Sequence, residues 1–150
     1  MNTEEKRNKY EFTLQSKNRT YRLVLFEHLF QRYMIRFTAS DKNHFFSEAT
    51  IANAFCKSVR MALPAIVSKL PYCREYRGFV VDDQISKLIY TLSVKGNQIR
   101  IQTVFSAWKK LVFIGKTDIP IRIITNPQNG APKAEIITDL EKSRFRRKTT

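Results

Sequence analysis

The sequence predicts an α+β fold in which two N-terminal helices pack on a mostly antiparallel sheet. Three observations lead there. Helical spacing of apolar residues dominates from Phe26 to Leu70, two-residue alternation dominates from Glu75 onward, and Lys95-Gly96-Asn97 joins the two clearest alternating runs. The chain has 150 residues, which suits one domain at 1–141 and a basic tail at 142–150. Hydrophobic residues make up 43%, with eleven Phe and six Tyr, which argues against a disordered chain and supplies area to bury.

Taken in order, Met1–Lys9 is charged and expected to fray. Tyr10–Leu14 fits a short strand or a helical turn, and Ser16–Arg19 reads as a turn. Thr20–Leu25 alternates Tyr21, Leu23 and Leu25 with Thr20, Arg22 and Val24, as an edge strand or an early helical turn would. The first helix runs from about Glu27 to Phe37. Thr38–Phe46 is a polar connection. Ser47 is a good N-cap, and Glu48 favours the first turn of a second helix. That helix carries Ile51, Phe55, Val59, Ala62, Leu63 and Ile66 on one face. Pro64 should kink or divide it, and Pro71 should end it.

The period then changes. Glu75–Val81 reads as a strand. Lys87–Val94 sets Leu88, Tyr90, Leu92 and Val94 on one side, and Gln98–Phe105 does the same with Ile99, Ile101, Thr103 and Phe105. Leu111–Ile114 and Ile119–Thr125 are further strands, the second pushed to an edge by Pro120. Asn126–Pro132 is a loop and Ala134–Leu140 a short last element. Asp82 and Asp83 read as turn residues, not as a metal pair.

The net charge is +14, of which Lys142, Arg144, Arg146, Arg147 and Lys148 supply five, so the body itself is basic at +9. A polyanion partner follows, RNA or DNA before anionic membrane. Cys56 and Cys73 form neither a C-x-x-C pair nor a zinc-spaced cluster, and reduced thiols in a cytoplasm are expected. No metal site or cofactor is expected, since two histidines exclude an all-His site. Neither a signal peptide nor a run of membrane-spanning length stands out.

The sharpest feature is Phe26–Phe37, FEHLFQRYMIRF. Measured from His28 on a helix, Arg32 lies at about 40° and Arg36 at about 80°. Leu29, Tyr33, Phe26, Phe37, Phe30 and Met34 span roughly 100° to 240°, and only Ile35 breaks the pattern. A greasy face is thus bordered by an imidazole and two guanidiniums. Imidazole moves protons near neutral pH, and guanidinium forks onto phosphate oxygens. One helical turn apart, they would flank a single phosphodiester. The plainer alternative is a solvated helix edge.

His28, Arg32 and Arg36 in H-x-x-x-R-x-x-x-R spacing resemble the helix of the RegB-like phage endoribonucleases. The same helix, followed by a strand ending in T-V-aromatic, is similar to small proteins of the RelE superfamily, and Thr103-Val104-Phe105 fits that ending. The resemblance covers about Phe26–Trp108. It implies cleavage of single-stranded mRNA without a metal, by attack of a ribose 2′-hydroxyl on the adjacent phosphorus. His28 would transfer a proton, Arg32 would bind the scissile phosphate, and Arg36 would serve a neighbouring phosphate.

The sequence departs from that family at one place. Cys56 stands where the second histidine of RegB-like enzymes falls, and a buried thiol is a poor acid. His44 is the candidate replacement, with Lys109, Lys110 and Arg100 as others. Arg144-Phe145-Arg146-Arg147 would grip single-stranded RNA by charge and stacking, or be a solvated tail, and Trp108 is a base platform or core. Two alternatives stand beside the nuclease. One is a non-catalytic nucleic-acid-binding or host-interaction protein; the other is a toxin partnered by a small acidic antitoxin. The expected partners are therefore mRNA, free or on a ribosome, and in the toxin case an acidic protein.

Overall fold

Asn8–Ser16 (β1) and Arg19–Phe26 (β2) form an antiparallel hairpin, the first elements among the described residues. Then come α1 (Glu27–Phe37), α2 (Glu48–Lys69), β3 (Arg77–Asp83), β4 (Leu88–Lys95), β5 (Gln98–Phe105), β6 (Ile119–Thr125) and β7 (Pro132–Ile136). The computed structural model describes residues 8–37, 47–70, 77–105 and 119–137. Its strands make one seven-stranded sheet in the order β1-β2-β5-β4-β3-β6-β7.

This corrects the α+β expectation. Strand makes up 51% of the described residues, and the sheet is a curled, mixed half-barrel with two helices. The physical reason lies in two pairings that no local pattern encodes. β2 lies parallel to β5, and β3 lies parallel to β6. The alternation of Tyr21, Leu23 and Leu25 belongs to a strand, not to the start of a helix, and β2 is not an edge strand. Nor is β6 at an edge: Pro120 sits beside Val80 of β3, one residue before the β7 pairing opens at Ile121 and Ile136. Its carbonyl accepts the Ile137 N–H at 3.0 Å, and a proline this close to the start of a strand is tolerated between two neighbours.

The curl has a visible consequence. α2 touches β1 at one end of the sheet and β6 and β7 at the other. Strand twist curls the sheet, and the curl brings both margins toward that one helix. Ser47 starts α2 as expected, its Oγ accepting the Thr50 N–H at 3.1 Å. Pro64 does not divide the helix, which continues to Lys69 with the proline on its exposed side. Ile51, Phe55, Val59, Ala62, Leu63 and Ile66 all face the core, as their spacing requires.

Against them lie Leu14, Tyr21, Leu23, Phe79, Val81, Leu92, Ile101 and Ile121 from the concave face of the sheet. Phe55 packs edge-on to both Tyr33 and Tyr90, at 6.3 and 5.3 Å between ring centres. The Tyr90 hydroxyl shares a 2.7 Å hydrogen bond with Ser58 of α2, fastening the helix to the middle of the sheet. On the convex face a smaller apolar cluster joins Val80, Ile89 and Ile137, with Phe105 beside it.

The β4–β5 hairpin turns at Gly96, whose φ of +61° is left-handed and suits glycine. Among the described residues no helix is long and apolar enough to cross a membrane. The expected strand Leu111–Ile114, the end of Ala134–Leu140 and the 142–150 tail lie outside the described residues.

Candidate functional site

Parallel pairing of β2 with β5 lasts only from Arg22 to Val24, against Gln98 to Arg100. Beyond it the two strands part. β2 ends at Phe26 and turns directly into α1, which packs along the remaining half of β5. The greasy face of α1 is anchored by Leu29, Phe30 and Tyr33, all buried in the core, and Phe30 meets Tyr10 at 5.3 Å between ring centres. That anchoring turns the bordering stripe toward β5.

At this seam β5 carries a bulge. Thr91 of β4 opposes Thr103, but the next residue, Leu92, opposes Ile101, so Gln102 is the extra residue of the bulge. Bulges bend a strand and re-aim its groups. Here the helix takes up both re-aimed groups. His28 Nε2 donates to the Gln102 carbonyl at 3.2 Å, and Arg32 Nη1 donates to Thr103 Oγ1 at 3.3 Å. For His28 to donate, Nε2 must carry a proton, which in the neutral ring leaves the lone pair on Nδ1. His28 is half-buried and Arg32 exposed.

Arg100 lies close by on β5. Its guanidinium carbon is 5.5 Å from the centre of the Phe26 ring, and its Nε donates to Gln98 Oε1 at 3.0 Å. Of the residues singled out from the sequence, His28, Arg32 and Arg100 are therefore gathered around the junction of β2, α1 and β5. Arg36 is in the last turn of α1, but its side chain lies outside the described residues. So do His44, Trp108, Lys109, Lys110, Arg144, Arg146 and Arg147.

Cys56 is placed clearly. It is buried on α2, in the apolar cluster, and burial pushes its thiol above the ordinary value, with Arg60 offsetting in part. It holds its proton at neutral pH and serves as packing. Asp82 and Asp83 are the last two residues of β3, both buried, rather than members of the turn. Asp83 Oδ1 accepts the Ile85 and Ser86 N–H groups at 3.0 and 2.9 Å, which shapes the turn into β4. Among the described residues no three His, Cys, Asp or Glu side chains are grouped to hold a metal ion.

Two participants were missed by sequence reasoning. The sequence places Thr103 in an alternating strand with Ile99 and Ile101 and in the strand ending, with no role at the site, and gives none to the Gln102 carbonyl. The T-V-aromatic run was a signal for the first. Nothing in the spacing signalled the second, because the bulge arises from pairing with β4. As an arrangement, the seam holds a proton carrier, a fixed cation and a hydroxyl side by side. Together they suit a substrate bearing both a proton to move and negative charge to hold. No protein-family model, curated protein or solved structure matches the chain.

Proposed function

We propose that this protein is an endoribonuclease acting on single-stranded RNA at the α1–β5 seam. One observation carries the reading. His28 and Arg32, one turn apart, both bond to adjacent residues of β5 that lie 74 and 71 positions away, beside an exposed arginine. A basic body at +9 outside the tail supplies long-range attraction for a phosphate chain.

In the chemistry we assign, His28 takes the proton of a ribose 2′-hydroxyl on Nδ1, while Nε2 stays bonded to Gln102. The 2′-oxygen forms a bond to the adjacent phosphorus. Arg32 holds the charge gathering on the phosphorane oxygens, and Thr103 fixes the angle of its guanidinium. The bond from phosphorus to the 5′-oxygen breaks, and that oxygen takes a proton from a second group, for which His44 is the sequence candidate. The products are a 2′,3′-cyclic phosphate and a 5′-hydroxyl. No step calls for a metal.

End-group analysis of the cut RNA tests this. Cyclic phosphate and 5′-hydroxyl ends should form in EDTA, and a single 2′-deoxy substitution at the cut should block cleavage. Ends bearing a 5′-phosphate would refute the mechanism. A binding-only protein is the second reading, and the buried packing role of Cys56, where a second histidine is expected, favours it. It requires salt-sensitive RNA binding with no cleavage of any RNA.

A further inference from the structure

Beyond the seam, two cross-strand rows cross the convex face of the sheet, the first polar throughout and the second polar at its exposed positions Glu11 and Arg100, with Val24 and Ser93 buried between and beside them. In the first, Thr13 opposes Arg22, Arg22 opposes Gln98, and Gln98 opposes Lys95. In the second, Glu11 opposes Val24, Val24 opposes Arg100, and Arg100 opposes Ser93. Arg22 and Lys95 are exposed and sit two strand spacings apart, or about 10 Å. Together with Thr13, Thr20, Asn97 and Gln98 they line an open groove of ≈ 480 Å³. Glu11, the acid in these rows, is beside Val24 on β1 and not in the row of Arg22 and Lys95.

The second row is arranged for stacking. The Arg100 guanidinium is held over Phe26 on one side and by Gln98 at Nε, and Arg100 is exposed. A guanidinium plane held in this way accepts an unstacked base. Phe26 is the residue immediately before α1, so the stack adjoins His28 and Arg32. From Gln98 to Thr103 β5 rises about 17 Å, which places the groove within a few nucleotides of the seam.

We infer that this convex strip of β2, β5 and β4 is the track for the single-stranded RNA that flanks the cut. Arg22 and Lys95 hold backbone phosphates, and Arg100 on Phe26 stacks a base. The inference rests on the seam reading for its substrate. Charge complementarity and continuity with the seam favour RNA. The stacking site favours a single strand, because duplex RNA keeps its bases paired inside.

The test uses the full chain and a labelled single-stranded RNA long enough to reach both places. R22Q/K95Q should weaken binding roughly tenfold at low salt and reduce the slope of log affinity against log salt by about 1.4, two phosphate contacts' worth. The melting temperature should stay unchanged, which separates lost RNA contacts from lost folding. R100Q should weaken binding without regard to base identity. Unchanged affinity and slope in R22Q/K95Q, or an equal loss toward duplex RNA, overturns the track. The two readings fail separately. Cleavage with normal binding by R22Q/K95Q removes the groove and keeps the seam. Weakened binding by R22Q/K95Q, with no cleavage by the unsubstituted protein, removes the seam chemistry and keeps the groove.

Discussion

Ser58→Ala and Tyr90→Phe probe a hydrogen bond sealed inside the core. Both residues are 0% exposed, and their oxygens are 2.7 Å apart. Ser58→Ala leaves the Tyr90 hydroxyl buried without its partner, at a cost of about 1–3 kcal/mol. In a chain of this size the melting temperature should fall by about 2–4 °C for each kcal/mol. Tyr90→Phe is milder, about 1 kcal/mol, because the Ser58 hydroxyl can turn back to a carbonyl of its own helix. The edge contact with Phe55 survives in phenylalanine. The double variant should lose little more than Ser58→Ala alone, giving a coupling of about 1 kcal/mol. Urea unfolding measures this, with the slope against denaturant unchanged. Strictly additive costs would refute the claim that this bond fastens α2 to the sheet.

Three further outcomes follow from the same geometry. Ser47→Ala removes the acceptor for the Thr50 N–H and should cost about 1 kcal/mol, read by urea unfolding, with Ser47→Asp restoring it. Asp82 has its carboxyl raised above the ordinary 3.8, chiefly by burial; Gln84 and Arg122 pull it down and Asp83 pushes it up. The native state therefore keeps a proton that the unfolded chain has released. That contribution is whole below the unfolded value and is lost as pH rises through the folded one, so Asp82→Asn should flatten the fall of stability just above pH 3.8. Thr103→Val removes the Arg32 partner while keeping a β-branched strand residue. RNA cleavage should drop about tenfold with stability little changed, and Thr103→Ser should recover most of it.

Local structure was legible where neighbours in sequence decide it. The helix over Glu27–Phe37, the Ser47 cap and the hairpin at Gly96 each follow from a few adjacent residues. What lay hidden was pairing at a distance. Nothing near Arg22 says that its neighbour is Gln98, or that the partnership lasts three residues before the strands diverge. Yet that divergence opens the seam where α1 sits. The same limit applied to the site. The stripe of His28 and Arg32 could be seen on a helical wheel, but its partners could not, because the Gln102 bulge is a property of two paired strands. Pro120 points to an edge for a related reason: a proline next to the first residue of a strand is tolerated between two neighbours, and only the pairing shows that β6 has two.

The most direct measurement compares the unsubstituted protein with His28→Ala on one single-stranded RNA in EDTA, following cleavage and binding together. Expected is a loss of cleavage of about a hundredfold or more, with affinity kept within a few-fold. Equal cleavage by the two proteins, or none by either while RNA is bound, contradicts a catalytic imidazole at the α1–β5 seam.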